Sequence, residues 1–281
     1  MFIRRVIHCG VNRRFCSSPA FGVQASATAS DSTPVSSKII EANQIADYII
    51  EQIEHTFVNK LEGKCEAASY DISGNCWKYF NIFSDKFSNK EKLVKMLESR
   101  ADYLHVDDLG LSDFDALIIA RILKYKAGTT KLLDMNNNPL VGDVGIGFVA
   151  KHVLDQASPV QLRSLFASGC GITDAGVQSL VKPLEHPEQS LHILELRKNG
   201  VTDDGAEVLA NALSHPSVLS PEFTLFLNAN SAIGERGAVA LAKAVIESQG
   251  RLKVWMKDTC SDLSASDKAD IMKFTKNHIR F

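Results

Sequence analysis

Apolar residues along the chain keep two different rhythms. From Ser37 to about Glu62 they fall at Ile39, Ile45, Ile49, Ile53, Phe57 and Leu61, with Asp, Glu, Gln and Lys between them. That spacing predicts an amphipathic helix, with Ser36 or Ser37 as its cap and Gly63 as its stop. The irregular, aromatic stretch YDISGNCWKYFNIF follows, and then Ser88 and Glu91 stand three apart as a capping box opening another helix. Residues 38–100 therefore read as a small helical unit that packs on the end of what comes next.

From residue 101 the rhythm becomes a repeat. Residues 162–184 laid over 191–213 bring Leu162, Leu165, Ala167, Cys170, Ile172, Asp174 and Gly176 onto Leu191, Leu194, Leu196, Asn199, Val201, Asp203 and Gly205, at a constant offset of 29. Leu133, Met135, Asn138 and Leu140 hold the same spacing, then slip by one before Asp143 and Gly145. Leu225, Leu227 and Asn230 do likewise and slip before Ile233, Glu235 and Gly237. Weaker copies occupy 103–123 and 251–274. About six units with degenerate ends are what a capped solenoid requires.

Each unit has a physical logic. Alternation at Leu194 and Leu196 predicts a short strand with one face inward. Asn138, Asn199 and Asn230 are expected to turn inward, where the amide satisfies the adjacent turn, and Cys170 is small enough for the same buried place. Asp203 to Gly205 opens a helix, the acid being favoured near its N-terminus. Val208, Leu209 and Leu213 then bury against the next unit. No unit closes a core alone, so stacking is obligatory.

The pattern LxxLxLxxN/CxI followed by DxGAxxLAxAL resembles the ribonuclease-inhibitor-type leucine-rich repeat, over roughly 103–274. The resemblance implies an α/β solenoid, with parallel strands on the concave side, helices on the convex side, and a binding scaffold without catalytic residues. One-residue insertions at 141–142 and 231–232, and Leu109 where Asn is expected, depart from the pattern and bear on local curvature.

Charge changes the picture at one end. The 31 basic and 33 acidic residues nearly cancel, so no global field draws the protein to nucleic acid or anionic lipid. Residues 1–37, however, carry Arg4, Arg5, Arg13 and Arg14 against Asp31 alone, amid Ser, Ala and Thr. An Arg-rich, Ser-rich, acid-poor start is the signature of a mitochondrial targeting presequence. No apolar run reaches the roughly 18–20 residues of a membrane span; ALIIARIL at 116–123 is short and contains Arg121.

Candidate chemistry is sparse. His186 and His215 sit in equivalent His-Pro turns after a helix, and capping accounts for Asp174, Asp203 and Asp204. GDVGIGF at 142–148 follows no strand-to-helix phosphate loop, and the phosphate-loop, nucleophile-elbow and HExxH signatures are absent. Cys65, Cys76, Cys170 and Cys260 form no CxxC and have no His at ligand spacing, so no metal or cofactor is expected. Cys65 and Cys76 would bridge only in an oxidising space.

A scaffold uses its strand face. There the side chains flanking the inward leucines run His105, Asp134, Phe166, Glu195, Phe226 and Trp255 in a middle file, with Arg197 and Lys257 beside it. Three large aromatics on a face that packing does not require point to a protein contact. The sequence thus reads as a non-catalytic scaffold of the mitochondrial matrix, a subunit or assembly factor of a ribosomal, ATP synthase or respiratory-chain complex. RNA contact is expected only inside a ribonucleoprotein, and no small-molecule substrate is expected. The alternative is a GTPase regulator resembling Ran GTPase-activating proteins, a family with an acidic C-terminal stretch where this chain ends in FTKNHIRF.

Overall fold

The computed structural model describes residues 39–40, 42–44, 46–47, 102–125, 130–155, 158–186, 188–215 and 222–281. The expected presequence, Cys65, Cys76 and most of the predicted helical unit over 38–100 lie outside the described residues.

Seven strands form one parallel sheet in strict chain order. They are β1 (Tyr103–His105), β2 (Leu132–Asp134), β3 (Ser164–Phe166), β4 (Ile193–Glu195), β5 (Phe223–Phe226), β6 (Leu252–Trp255) and β7 (Ile279–Arg280). The helices between them are α1 (Asp113–Tyr125), α2 (Gly142–Val149), α3 (Asp174–Leu184), α4 (Asp203–Leu213), α5 (Glu235–Glu247) and α6 (Ala265–Phe274). A π-helical turn, Ala150–Leu154, prolongs α2. This is the expected α/β solenoid, with one layer of parallel strands and one of helices. It is one strand longer than the repeat pattern shows, because β7 is only two residues long.

Three-residue strands have no stability of their own, so register does the work. Leu104, Leu133, Leu165, Leu194, Leu225 and Val254 pair one with the next across the sheet and are buried to the last few per cent. Ile279 ends the column opposite Val254. Both one-residue insertions leave this register unshifted, since they fall between the inward asparagine and the helix. The first is absorbed at Gly142, whose φ is +56°.

Three residues past the end of each strand from β1 to β6 the backbone is left-handed. Asp108, Asn137, Gly169, Lys198, Ala229 and Asp258 hold this place, with φ between 53° and 64°. The asparagine that follows does what its position predicts. Asn230, fully buried, accepts from the N–H groups of Asn199 and Val201 (both 3.2 Å) and donates to the carbonyls of Leu196 (2.9 Å) and Leu227 (2.8 Å). Asn138 and Asn199 serve the preceding turns in the same way. Buried turns cannot shed backbone polar groups to water, so one amide per repeat meets the need. Cys170 fills the equivalent buried place and donates from Sγ to the Met135 carbonyl (3.0 Å). Burial pushes its thiol up to about 11, which keeps it protonated and inert at neutral pH.

The acids at the helix starts act differently from expectation. Position alone assigns each to its own helix, but the carboxylates reach across to the next one. Asp143 accepts from Thr173 N (2.7 Å) and Gly176 N (3.0 Å), Asp174 from Thr202 N (2.9 Å), and Asp203 from Gly234 N (2.7 Å) and Gly237 N (2.8 Å). The orphan N–H groups of one helix are thus served by the turn before it. This also explains Gly176, Gly205 and Gly237, each two residues after the acid that opens its helix. A Cβ on Gly205 would meet Asp174 Oδ1 at 2.2 Å, and one on Gly176 would meet Asp143 Oδ1 at 2.5 Å.

The first described repeat draws its capping acid from its own turn. Where later repeats have glycine, α1 has Asp115. Its carboxylate accepts from Ser112 N (2.8 Å) and Ser112 Oγ (2.7 Å), the pair of bonds that Thr202 makes to Asp174. Ser264 and Asp267 repeat the self-capping pair at α6. Of the N-terminal helical unit, Ile39, Ile40, Ala42–Gln44, Ala46 and Asp47 are described and helical. Ala42 and Ala46 are fully buried, and the Arg121 guanidinium of α1 donates to Asn43 Oδ1 (2.7 Å) and Asp47 Oδ1 (2.6 Å).

Candidate functional site

The outer face of the sheet is built by the pleat. Side chains alternate, so burying Leu104 or Leu194 turns the residues on either side outward. Pairing aligns Tyr103, Leu132, Ser164, Ile193, Thr224 and Lys253 in one file, and His105, Asp134, Phe166, Glu195, Phe226 and Trp255 in the next. The middle file stands where the alternation places it, and β7 extends it, since Arg280 pairs with Trp255. Backbone bonds from Gly169 N to the Arg197 carbonyl and from Ala229 N to the Lys257 carbonyl carry the ladder past the strand ends. Arg197 and Lys257 therefore share a third file.

Side chains within these files form two clusters. At the β1–β2 end, His105 Nδ1 lies 3.3 Å from Asp134 Oδ2, with His105 about half exposed (54%) and Asp134 largely covered (15%). Asp107 completes a group whose ligand atoms lie within 4.8 Å of one another. These are the described residues arranged most nearly as a cation would need. The group is an open one, with the His–Asp contact as its internal tie.

At the other end, four side chains stack across four strands. The Arg197 guanidinium lies 4.4 Å from the Phe226 ring centre. Phe226 and Trp255 stack at 5.9 Å with 20° between planes. Arg280 closes the row 5.0 Å from the Trp255 ring. Glu195, 14% exposed, accepts from Ser168 Oγ (2.7 Å) and pairs with Arg197 Nε (3.4 Å), which steadies the guanidinium over the ring. Phe166 stays outside the row because Glu195 occupies the strand between it and Phe226. Of the three aromatics expected on the face, two act together.

Arg280 is the participant that the repeat pattern does not announce. Its only signal is the apolar–basic pair Ile279–Arg280 after the last recognisable unit, too short to register as a strand. Lys253 is held by Glu222 at 2.8 Å, and that bond keeps the Glu222 carboxyl below its ordinary range. Arg251, a further basic residue of this end, lies just before β6 and off the outward files.

What the surface can do follows from its make-up. It offers aligned aromatic and guanidinium groups, residue types that anchor protein interfaces, with carboxylates beside them. Among the described residues no helix is long and apolar enough to cross a membrane.

No curated protein matches the chain. A family model described as Leucine Rich repeat matches residues 189–210, which comprise β4, its asparagine turn and most of α4. The same strand–turn–helix unit recurs in unshifted register on both sides of that stretch, and the fold is a leucine-rich repeat solenoid.

Proposed function

We propose that this protein is a non-catalytic, ribonuclease-inhibitor-type scaffold that binds other proteins through its strand face. In this reading it serves as a subunit or assembly factor of a multi-protein complex of the mitochondrial matrix, ribosomal, ATP synthase or respiratory. One observation carries the binding role. The solenoid needs leucine inside and asparagine at the turn, yet the outward file holds Phe226, Trp255 and Arg280 in a continuous stack. Folding does not ask for that row, and interface energetics favour it. The matrix address rests on the basic, acid-poor residues 1–37.

A photoreactive amino acid at Thr224, on β5 two residues before Phe226, tests the binding role in tagged protein isolated from mitochondria. It should link to a defined set of proteins, while the same probe at Lys243 on α5 should not. Recovery of the protein alone at monomer mass, with neither probe linked, overturns the reading. Removal of residues 1–37 should leave the protein in the cytosol, and continued import overturns the targeting claim.

A further inference from the structure

We propose that the β4–β7 half of the strand face receives an acidic segment of the partner protein, a refinement that rests on the binding role just given. The stack dictates the chemistry. Phe226 has Arg197 on one face and Trp255 on the other, and Trp255 has Phe226 and Arg280. With their faces taken, the rings present their rims outward, and the rim of an aromatic ring is its electropositive part. A guanidinium stacked on a ring keeps its N–H edge for acceptors. Everything offered outward from the row therefore favours carboxylate oxygens.

Charge across the face agrees. The outward acids Asp107, two residues past β1, and Asp134 on β2 lie at one end, while Arg197, Lys257 and Arg280 lie at the other, where Lys253 is already paired with Glu222. Glu195 is already engaged by Ser168 and Arg197. Among the described residues neither Lys257 nor Arg280 has a carboxylate partner.

A single-stranded nucleic acid fits less well on two counts. Base stacking needs open ring faces, and those of Phe226 and Trp255 are taken. A phosphate chain running across the strands would also reach Asp134 within about 24 Å of Arg280, five strand spacings away. The span from Arg197 to Arg280 is three such spacings, about 15 Å, which an extended segment of roughly four to five residues covers.

The test uses the full chain with Trp77→Phe, so that emission comes from Trp255 alone. It is titrated with three probes: an eight-residue peptide of alternating Glu and Ser, its Lys/Ser counterpart, and an oligonucleotide of eight thymidines. The Glu peptide should shift Trp255 emission saturably and weaken with added salt. Arg280→Ala and Lys257→Ala should each weaken it roughly tenfold, and Lys243→Ala on α5 should leave it unchanged. No response to the Glu peptide overturns the proposal, as does indifference to Arg280→Ala. Equal or tighter binding of the oligonucleotide assigns the face to phosphate chains and overturns it too. A chemical cross-link from Lys257 to a carboxylate within residues 48–101 would show the chain occupying its own face, which equally overturns the proposal. If the Thr224 probe links to a protein while the Glu peptide fails to bind, this inference falls and the scaffold stands; if both fail, the scaffold falls as well.

Discussion

Thr202 donates both its backbone N–H and its hydroxyl to the carboxylate of Asp174, at 2.9 and 2.6 Å, across 28 residues of sequence. The bond joins the start of α4 to the start of α3, so it staples repeats together and caps a helix with the same atoms. Its oxygen fills the space a side chain at residue 205 would need.

Asp174→Ala should therefore cost about 1–2 kcal/mol and Gly205→Ala about 1–3 kcal/mol. In the double variant the carboxylate no longer meets the new methyl group, and the combined loss should fall short of the sum by roughly 1 kcal/mol. Denaturant unfolding of the three variants measures the coupling. Additive losses would show that Asp174 is not what excludes a side chain there.

Asn230 satisfies two N–H groups and two carbonyls in a fully buried turn. Asn230→Leu leaves all four without that partner and should cost about 3 kcal/mol or more. Asn230→Cys borrows the residue that Cys170 uses at the same place and should lose less. Equal losses in urea unfolding would refute the explanation for the cysteine.

Ala229 holds φ at 60° where the third repeat has Gly169 at 64°. A Cβ is strained in that region, so Ala229→Gly should stabilise the protein by about 1 kcal/mol, unlike most glycine substitutions. The bond from its N–H to the Lys257 carbonyl (2.8 Å) needs no side chain and should persist. A lowered midpoint in denaturant counts against the backbone argument.

Burial holds the Asp115 carboxyl above its ordinary range, against the opposing pull of its bonds from Ser112. A raised folded pKa means the folded state keeps the proton to higher pH than the unfolded chain does. Stability from this group is thus present below about pH 4 and is lost as pH climbs through the folded value. Asp115→Asn keeps an acceptor for Ser112 without the charge. Its melting temperature relative to the parent should rise as pH climbs above about 4. A difference that is flat in pH, or of the opposite sign, contradicts the assignment.

Much of the candidate site is legible in the sequence for one reason. In a strand with period two, knowing which residues are buried settles which face outward, and Leu194, Leu196 and their copies declare the inside. The face of His105, Asp134, Phe166, Glu195, Phe226 and Trp255 follows without further information. What stays hidden is interaction along the file. Nothing local says that Phe226 stacks on Trp255 while Phe166 is cut off by Glu195, or that a two-residue strand adds Arg280.

The repeat, the inward residues, the asparagine ladder and hence the solenoid can be read from the chain, because these depend on residue type at a fixed spacing. Which neighbour each polar group serves depends on how the repeats stack. Asp174 stands at the start of one helix and caps the next, and Arg197 lies over a ring on the adjacent strand. These choices join residues on neighbouring repeats. Their partners exist only once the coils lie against one another, so a pattern read one repeat at a time does not contain them.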